Sequence, residues 1–242
     1  MKAMVFAAGL GTRLRPLTDD RPKALVEVGD RTILDITLSR LRDFGIADVI
    51  INAHHFADAL IDYLRRNDNF GMHVEVSRED VLLDTGGGLK HAAHFFADSS
   101  EPFLVHNVDV LSDIDFEKML RRHSEEGSLA TLAVQDRPTS RLLLFDHQLQ
   151  LCGRRTTKIG DEIVRPAANL MPLAFSGIHV ISPKIFELMT ETGVFPIVDA
   201  YLRLTKEGSK ITAFRADGDY WRDLGTESSI REAERDMASG RV

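Results

Sequence analysis

Residues 7–25 read AAGLGTRLRPLTDDRPKAL. Gly9 and Gly11 let the backbone turn tightly and bring its N–H groups close to an oxyanion, while Arg13, Arg15 and Lys23 add full positive charge. Such a loop suits a polyphosphate. It is not a Walker loop, because no G-K-[ST] follows at the required distance, and Leu14 stands where a dinucleotide fingerprint needs its third glycine. Taken alone, the glycine pair is equally consistent with an ordinary turn, and the arginines with solvated surface charge. A second glycine cluster, Gly86 to Gly88 after Asp84-Thr85, is either a turn or another point of close approach for an anion or a base. Asp109 ends the apolar run FLVHNV and Asp223 sits between Trp221 and Gly225. Each, taken singly, reads as a turn or cap aspartate as readily as a metal ligand. His54 and His55 read as surface or pocket-rim residues, since no third ligand has metal-site spacing. Cys152, the single cysteine, excludes an internal disulfide and reads as a small, partly buried apolar residue.

The elements around these residues alternate. AMVFAA, before Gly9, is apolar on both faces, as a central parallel strand would be. ILDITLSRLRDFGI places Ile33, Leu34, Leu38 and Leu41 at helical spacing with Gly45 just past the end, and DVIINA follows as a second buried strand. A helix in ADALIDYLRRN, a strand in MHVEVS, a helix after the glycines of GGGLKHAAHFF, and the strand PFLVHNV continue the pattern. A helix in DFEKMLRRHSEE leads to the strand LATLAV. The pattern predicts an α/β fold: one Rossmann-like, doubly wound, mostly parallel sheet with helices on both faces and ligands at the carboxyl ends of its strands. The rhythm then breaks. RLLLFDHQLQLCG predicts a hairpin, followed by the basic loop RRTTKIGDEIVRPAANLMP, before AFSGIHVI resumes the core. Short helices at Ser182-Pro183 and DAYLRLTKEG, a strand ITAFRA, and a closing helix TESSIREAERDM capped by Thr226 or Ser228 complete the chain. Residues 1–242 are expected to form a single domain, with the nucleotide-binding part in about 1–135 and the irregular middle as an insertion.

The chain has 242 residues, 43% hydrophobic and 28% charged, with a net charge of -7. This composition suits a globular protein and argues against a nucleic-acid partner. No apolar stretch reaches membrane-spanning length and the amino terminus holds no signal-peptide core, so a cytoplasmic location with no membrane partner is expected. No oligomeric state is implied.

The string G-x-G-T-R-L-x-P-L-T followed by P-K, from Gly9 to Lys23, resembles the hallmark of the sugar-1-phosphate nucleotidylyltransferases. The resemblance extends to DTGGG at 84–88, the aspartate of HNVDV and the late YWRDLGT, and so spans most of the chain. It implies that a nucleoside triphosphate and a sugar 1-phosphate react to give a nucleotide-diphosphate sugar and pyrophosphate. By position, the triphosphate would lie on Ala7, Ala8, Gly9, Gly11, Thr12 and Arg13, with Arg13 and Lys23 acting on the phosphates. The base would lie against Asp84 and Gly86, Gly87 and Gly88, and Asp109 and Asp223 would hold Mg2+. By order along the chain, Asn169, Gly177 and Asp199 would contact the sugar in a part spanning about 136–242. The residue types suit this chemistry: in-line attack on an α-phosphorus needs positioning and charge neutralisation, and no nucleophilic side chain.

Two departures stand out. Val108 fills the place of a glycine that the family commonly has before its metal-binding aspartate, and the Glu-Lys-Pro string of many relatives is absent. The motifs TGGG and FSGI resemble most the compact N-acetylmuramate-1-phosphate uridylyltransferases, which implies UTP; mannose- or heptose-1-phosphate guanylyltransferases are the next resemblance. Arg154, Arg155 and Lys158 could meet an acidic sugar or simply form an exposed basic loop. A nucleotide-sensing module without turnover is an alternative of another class. A nicotinamide-dependent reductase would need an acidic residue ending the second strand, which runs DVIINAHH.

Overall fold

The computed structural model describes residues 1–158 and 160–242. In chain order the elements are β1 (Lys2–Phe6), β2 (Glu27–Val28), β3 (Arg31–Thr32), α1 (Ile33–Asp43), β4 (Asp48–Ala53), α2 (Ala57–Arg66), β5 (His73–Arg78) and α3 (Asp84–His91). There follow β6 (Phe103–Asn107), β7 (Val110–Ser112), α4 (Phe116–Glu126), β8 (Ala130–Gln135), β9 (Arg141–Phe145), β10 (Leu151–Thr156) and β11 (Gly160–Ile163). The last are β12 (Met171–Ile181), α5 (Ile185–Leu188), α6 (Ile197–Lys206), β13 (Ile211–Arg215), β14 (Trp221–Asp223) and α7 (Glu227–Ala238).

Ten strands form one sheet in the order β11-β10-β9-β12-β6-β1-β4-β5, with β8 on β12 and β13 on β8. The central parallel strands β1, β4 and β6 are buried along most of their length because both faces of the sheet are covered there, whereas the edge strand β5 alternates polar and apolar residues. Ala3 and Val5 of β1 pack with Leu34, Leu38 and Leu41 of α1, Leu60 and Leu64 of α2, and Ile230 and Ala233 of α7. Met4 and Phe6, pointing the other way, pack with Leu89 of α3, Ile185 of α5 and Tyr201 and Leu204 of α6. This two-sided cover makes the fold doubly wound and Rossmann-like.

Four features differ from the sequence reading. β12 runs antiparallel to β6, β8 and β9, a direction that apolar periodicity does not encode. Within the basic loop, β11 pairs with β10, so that stretch extends the sheet. The triple glycine lies inside α3 instead of before it. A Cβ on Gly86 would strike the ring and carbonyl of Phe195, and one on Gly87 the carbonyl of Gly193. The small hairpin β2–β3 was not anticipated. Thr226 caps α7 through a capping box with Ser229, and Gly45 follows α1 with φ of 93°, as the sequence indicated.

Three histidines are buried in this core. Burial and the charge of Arg40 push His106 down to about 3, burial and His106 push His179 to about 3, and burial pushes His123 to about 4. His179 Nδ1 meets Tyr201 Oη at 2.6 Å and His123 Nδ1 meets Thr131 Oγ1 at 3.0 Å. An unfolded chain protonates these rings near their ordinary 6.5, whereas the folded one holds them neutral. Their contribution is therefore complete above that value and is lost as pH falls toward 4 and below. His94, exposed beside Glu75, shifts the opposite way but is screened by solvent. Urea unfolding across a pH series should show the unfolding free energy falling by several kcal/mol between pH 6.5 and 4, a drop that His123→Gln makes shallower; a flat profile in that window would contradict the buried neutral state.

Candidate active site

β1 lies between β4 and β6 with all three strands parallel, and Phe6 is in register with both Asn52 and Asn107. Their carboxyl ends thus open on one edge, where the residues that follow form a cavity of about 440 Å³. Its walls include Ala7, Ala8, Gly9, Gly11, Thr12, Arg13 and Lys23 from the first loop. Asn52, Glu79, Leu82, Asp84, Thr85, Asn107, Val108, Asp109, Val194 and Gly225 complete the lining.

The first loop is held by one bond to a neighbouring strand and one within itself. Ala7 N–H donates to Asn52 Oδ1 at 2.7 Å, and Thr18 Oγ1 donates to Gly11 O at 2.9 Å. Gly11 has φ of 63°, and a Cβ there would lie 2.9 Å from Thr18 Cγ2 and 3.1 Å from Lys23 Cβ, so both conformation and space require glycine. Two one-turn helical segments follow, at Thr12–Leu14 and Lys23–Leu25. They present Arg13 outward and turn Lys23 inward, where its side chain is only 9% exposed and its ammonium is hydrogen-bonded to Asp109 Oδ2.

Asp109, in the turn between β6 and β7, lines the cavity, whereas Asp223, at the end of β14, lies beside it without lining the wall. β7 and β14 pair antiparallel with Asp223 opposite Val110, and Leu224 N–H donates to Asp109 O at 2.8 Å. Asp223 Oδ1 accepts from Gly225 N–H at 2.8 Å and lies 3.9 Å from an Arg13 guanidinium nitrogen. A Cβ on Gly225 would come within 2.5 Å of Arg13 Nη2, so glycine there leaves room for the pair. Trp221 anchors β14 by donating from Nε1 to Ser176 O at 2.8 Å, with the Arg137 guanidinium stacked 3.6 Å from its ring. Val108 continues the β6 ladder: its N–H donates to Phe6 O at 3.0 Å and its side chain is buried.

The second glycine cluster plays a different part from the expected one. Gly86, Gly87 and Gly88 do not line the cavity; the N–H groups of Gly86 and Gly87 donate to Phe195 O at 2.9 and 3.2 Å. Gly88 leaves space for a buried pair behind the wall, since a Cβ would lie 2.7 Å from Glu79 Oε1 and 2.9 Å from Asn52 Nδ2. The residues that reach the cavity are Asp84, at φ of 59°, and Thr85, whose Oγ1 accepts from Ile197 N–H at 2.9 Å. Glu79 and Asn52 escaped the sequence reading. Asn52 Nδ2 donates to Glu79 Oε1 at 2.7 Å and Leu83 N–H to Glu79 Oε2 at 2.9 Å. The available signal was an acidic residue just beyond a strand whose neighbours end in loops of the site.

The residues assigned to the sugar by chain order are not on the cavity wall. Asn169 is exposed with φ of 55°. Gly177 is buried in β12 at φ of 75°, and a Cβ there would lie 2.7 Å from Asn107 Nδ2, so it supports Asn107. Asp199 accepts from Arg154 at 2.5 Å, and Arg154 also donates to Glu162 at 2.7 Å. Arg155 is paired with Asp161, so two of the three basic residues considered for an acidic sugar are already matched within the insertion. His54 Nδ1 lies 2.7 Å from Glu79 O, and His55 is exposed against Phe56. Cys152 is buried, and burial pushes its thiol up.

Among the described residues, no group of three or more His, Cys, Asp or Glu side chains could hold a metal ion by itself. Two hard carboxylates on adjoining strand ends, Asp109 and Asp223, suit a hard divalent cation whose remaining ligands are other oxygens. Among the described residues, no helix is long and apolar enough to cross a membrane.

Comparison with known proteins shows the family and the fold. The chain is 32% identical to the N-acetylmuramate alpha-1-phosphate uridylyltransferase of Caulobacter vibrioides, with 98% of this chain and 96% of that one covered. It is 28% identical to the mannose-1-phosphate guanyltransferase beta-B of Xenopus laevis, matching 93% of this chain but 61% of the longer protein. A structure of UDP-glucose pyrophosphorylase complexed with UDP-glucose superposes with a TM-score of 0.80 at 19% identity, covering 99% of both chains. The model of the nucleotidyl transferase family matches residues 2–240, and the chain is an enzyme of that family, whose members generally use a divalent metal.

Proposed function

We propose that this protein transfers a nucleotidyl group from a nucleoside triphosphate, UTP by preference, to a sugar 1-phosphate, releasing pyrophosphate and using Mg2+. The observation that carries the reading is the pairing of Lys23 with Asp109 and of Arg13 with Asp223 beside the Gly9–Gly11 turn. It brings two cations for phosphates and two carboxylates for a metal to one strand edge. The family match and the 32% identity to a uridylyltransferase support the reaction class and the choice of UTP. The Xenopus relative supports GTP with a mannose 1-phosphate as the second reading.

In this reading the backbone N–H groups of residues 9–13 receive the triphosphate and Arg13 holds the departing pyrophosphate with its forked donors. Lys23 neutralises charge at the α-phosphate, where a sugar-phosphate oxygen attacks in line and the bond to pyrophosphate breaks. Asp109 and Asp223 would hold Mg2+, which supplies charge neutralisation to the phosphates when bound. Asp84, Thr85 and Glu79 border the base, with Gly86, Gly87 and Gly88 setting the wall behind them. Asn107, kept in place by Gly177, faces the sugar side, and Asn169 and Asp199 lie farther out in that part of the chain. Residues 1–242 act as one domain, in the cytoplasm.

The test is pyrophosphate release by purified protein given each nucleoside triphosphate with a panel of sugar 1-phosphates. Release with UTP is the expected result; nucleotide binding with no release under any combination would replace the enzyme with a sensing module. Asp109→Asn, whose amide oxygen still accepts from the Lys23 ammonium, should abolish release while the protein stays folded, and full activity of that variant would remove Asp109 from the metal role. Arg13→Ala should lower kcat by a factor on the order of a thousand, and an unchanged kcat would remove it from pyrophosphate stabilisation.

A further inference from the structure

The cations and carboxylates that the reaction needs are, in the ligand-free protein, bound to each other. Lys23 is 9% and Asp109 23% exposed, and their hydrogen bond closes the inner end of the first loop onto the strand end after β6. Arg13 and Asp223, at 67% and 41%, form a looser pair 3.9 Å apart nearer the solvent. The formal charge of the four side chains is zero. A metal ion arriving alone must draw Asp109 from a nearly buried ammonium and leave that ammonium beside a dication. A polyphosphate arriving alone must draw Lys23 from Asp109 and leave a carboxylate facing an anion. Either event uncovers charge in a poorly hydrated place, which is costly. When both arrive, each side chain exchanges one partner for another of the same sign.

We propose that the Lys23–Asp109 and Arg13–Asp223 pairs are an exchange lock: they hold the site neutral and weakly binding until a divalent cation and a polyphosphate enter together, so that the two ligands bind cooperatively. The inference rests on the nucleotidyl-transfer reading of the site and adds to it a function for the ion pairs themselves. Lys23–Asp109, the more buried pair, carries most of the coupling; Arg13–Asp223, open to water, carries less because it is screened. Each ligand must displace the side chain that competes with it, so loosening either pair must raise the affinity for one ligand in the absence of the other, and the coupling between the two ligands is reciprocal.

Binding of Mn2+ alone and, in EDTA, of inorganic tripolyphosphate alone tests this on the full-length protein, with turnover measured separately. Lys23→Met keeps the apolar stem and removes the charge; it should bind Mn2+ about tenfold more tightly than the wild type. Asp109→Asn should bind tripolyphosphate about tenfold more tightly, and the gain should vanish when Lys23→Met is added. Arg15→Ala removes the same charge from the same loop at a residue paired instead with Asp19, and should leave Mn2+ affinity unchanged. Arg13→Ala, at a side chain 67% exposed, leaves the Lys23–Asp109 bond in place and should raise Mn2+ affinity about twofold. Unchanged Mn2+ affinity in Lys23→Met, or in Arg13→Ala should Lys23→Met fail to fold, overturns the lock. An equal gain from Arg15→Ala also overturns it, by assigning the effect to the loop's net charge. Turnover with unchanged Mn2+ affinity defeats the lock alone, while Mn2+ gains without turnover on any substrate pair defeat the enzymatic reading alone.

Discussion

The bond between Lys23 and Asp109 is the contact on which the site depends, because it joins two segments separated by 86 residues at the point where the first loop must be placed. Lys23 is buried apart from its contact with the cavity, and an ammonium in that position needs a carboxylate. Removing one partner of a fully buried pair costs about 3–5 kcal/mol, and the 23% exposure of Asp109 lowers that figure here. The pair therefore acts on the loop like a clasp. Gly11 packs directly against Lys23 Cβ, so the glycine turn, its N–H groups and Arg13 take their positions from it.

The sheet supplies the other constraint. Parallel registry of β4, β1 and β6 aligns Asn52, Phe6 and Asn107, and each strand hands its next residue to the same edge. Asn52 accepts from Ala7 and donates to Glu79, linking three strand ends through one buried amide. Across the edge, β14 brings Asp223 beside Asp109 only because Trp221 is fixed to Ser176 O and β7 offers it a partner. The cavity is thus assembled from six separate parts of the chain, none of which carries the chemistry alone.

This division explains what could be read from the sequence. The loop from Gly9 to Lys23 is local: its glycines, charges and spacing lie within fifteen residues of one another, so the whole string carries the family resemblance that its residue types, taken singly, leave open. Strands with two apolar faces and helices with one also follow from local periodicity, and the doubly wound fold with them. The glycines at 86–88 were legible as special but not as to purpose, because what each faces, Phe195, Gly193 or Glu79, lies elsewhere in the chain. Glu79 and Asn52 were missed for the same reason. Gly177 was noticed as a sugar contact, yet its positive φ and its closeness to Asn107 give it a supporting place behind the wall. The direction of β12 is invisible in an apolar run, so the antiparallel part of the sheet had to come from the structure.

The account's central claim is that the triphosphate is held by the first loop with Lys23 at its reacting phosphorus. A crystal structure with a non-hydrolysable UTP analogue and Mg2+ tests it most directly. It should show the α-phosphate within hydrogen-bonding distance of Lys23 Nζ, the terminal phosphates over residues 9–13 beside Arg13, and Asp109 released from Lys23. A triphosphate bound outside this cavity, or bound with Lys23 and Arg13 turned away from it, would contradict the account.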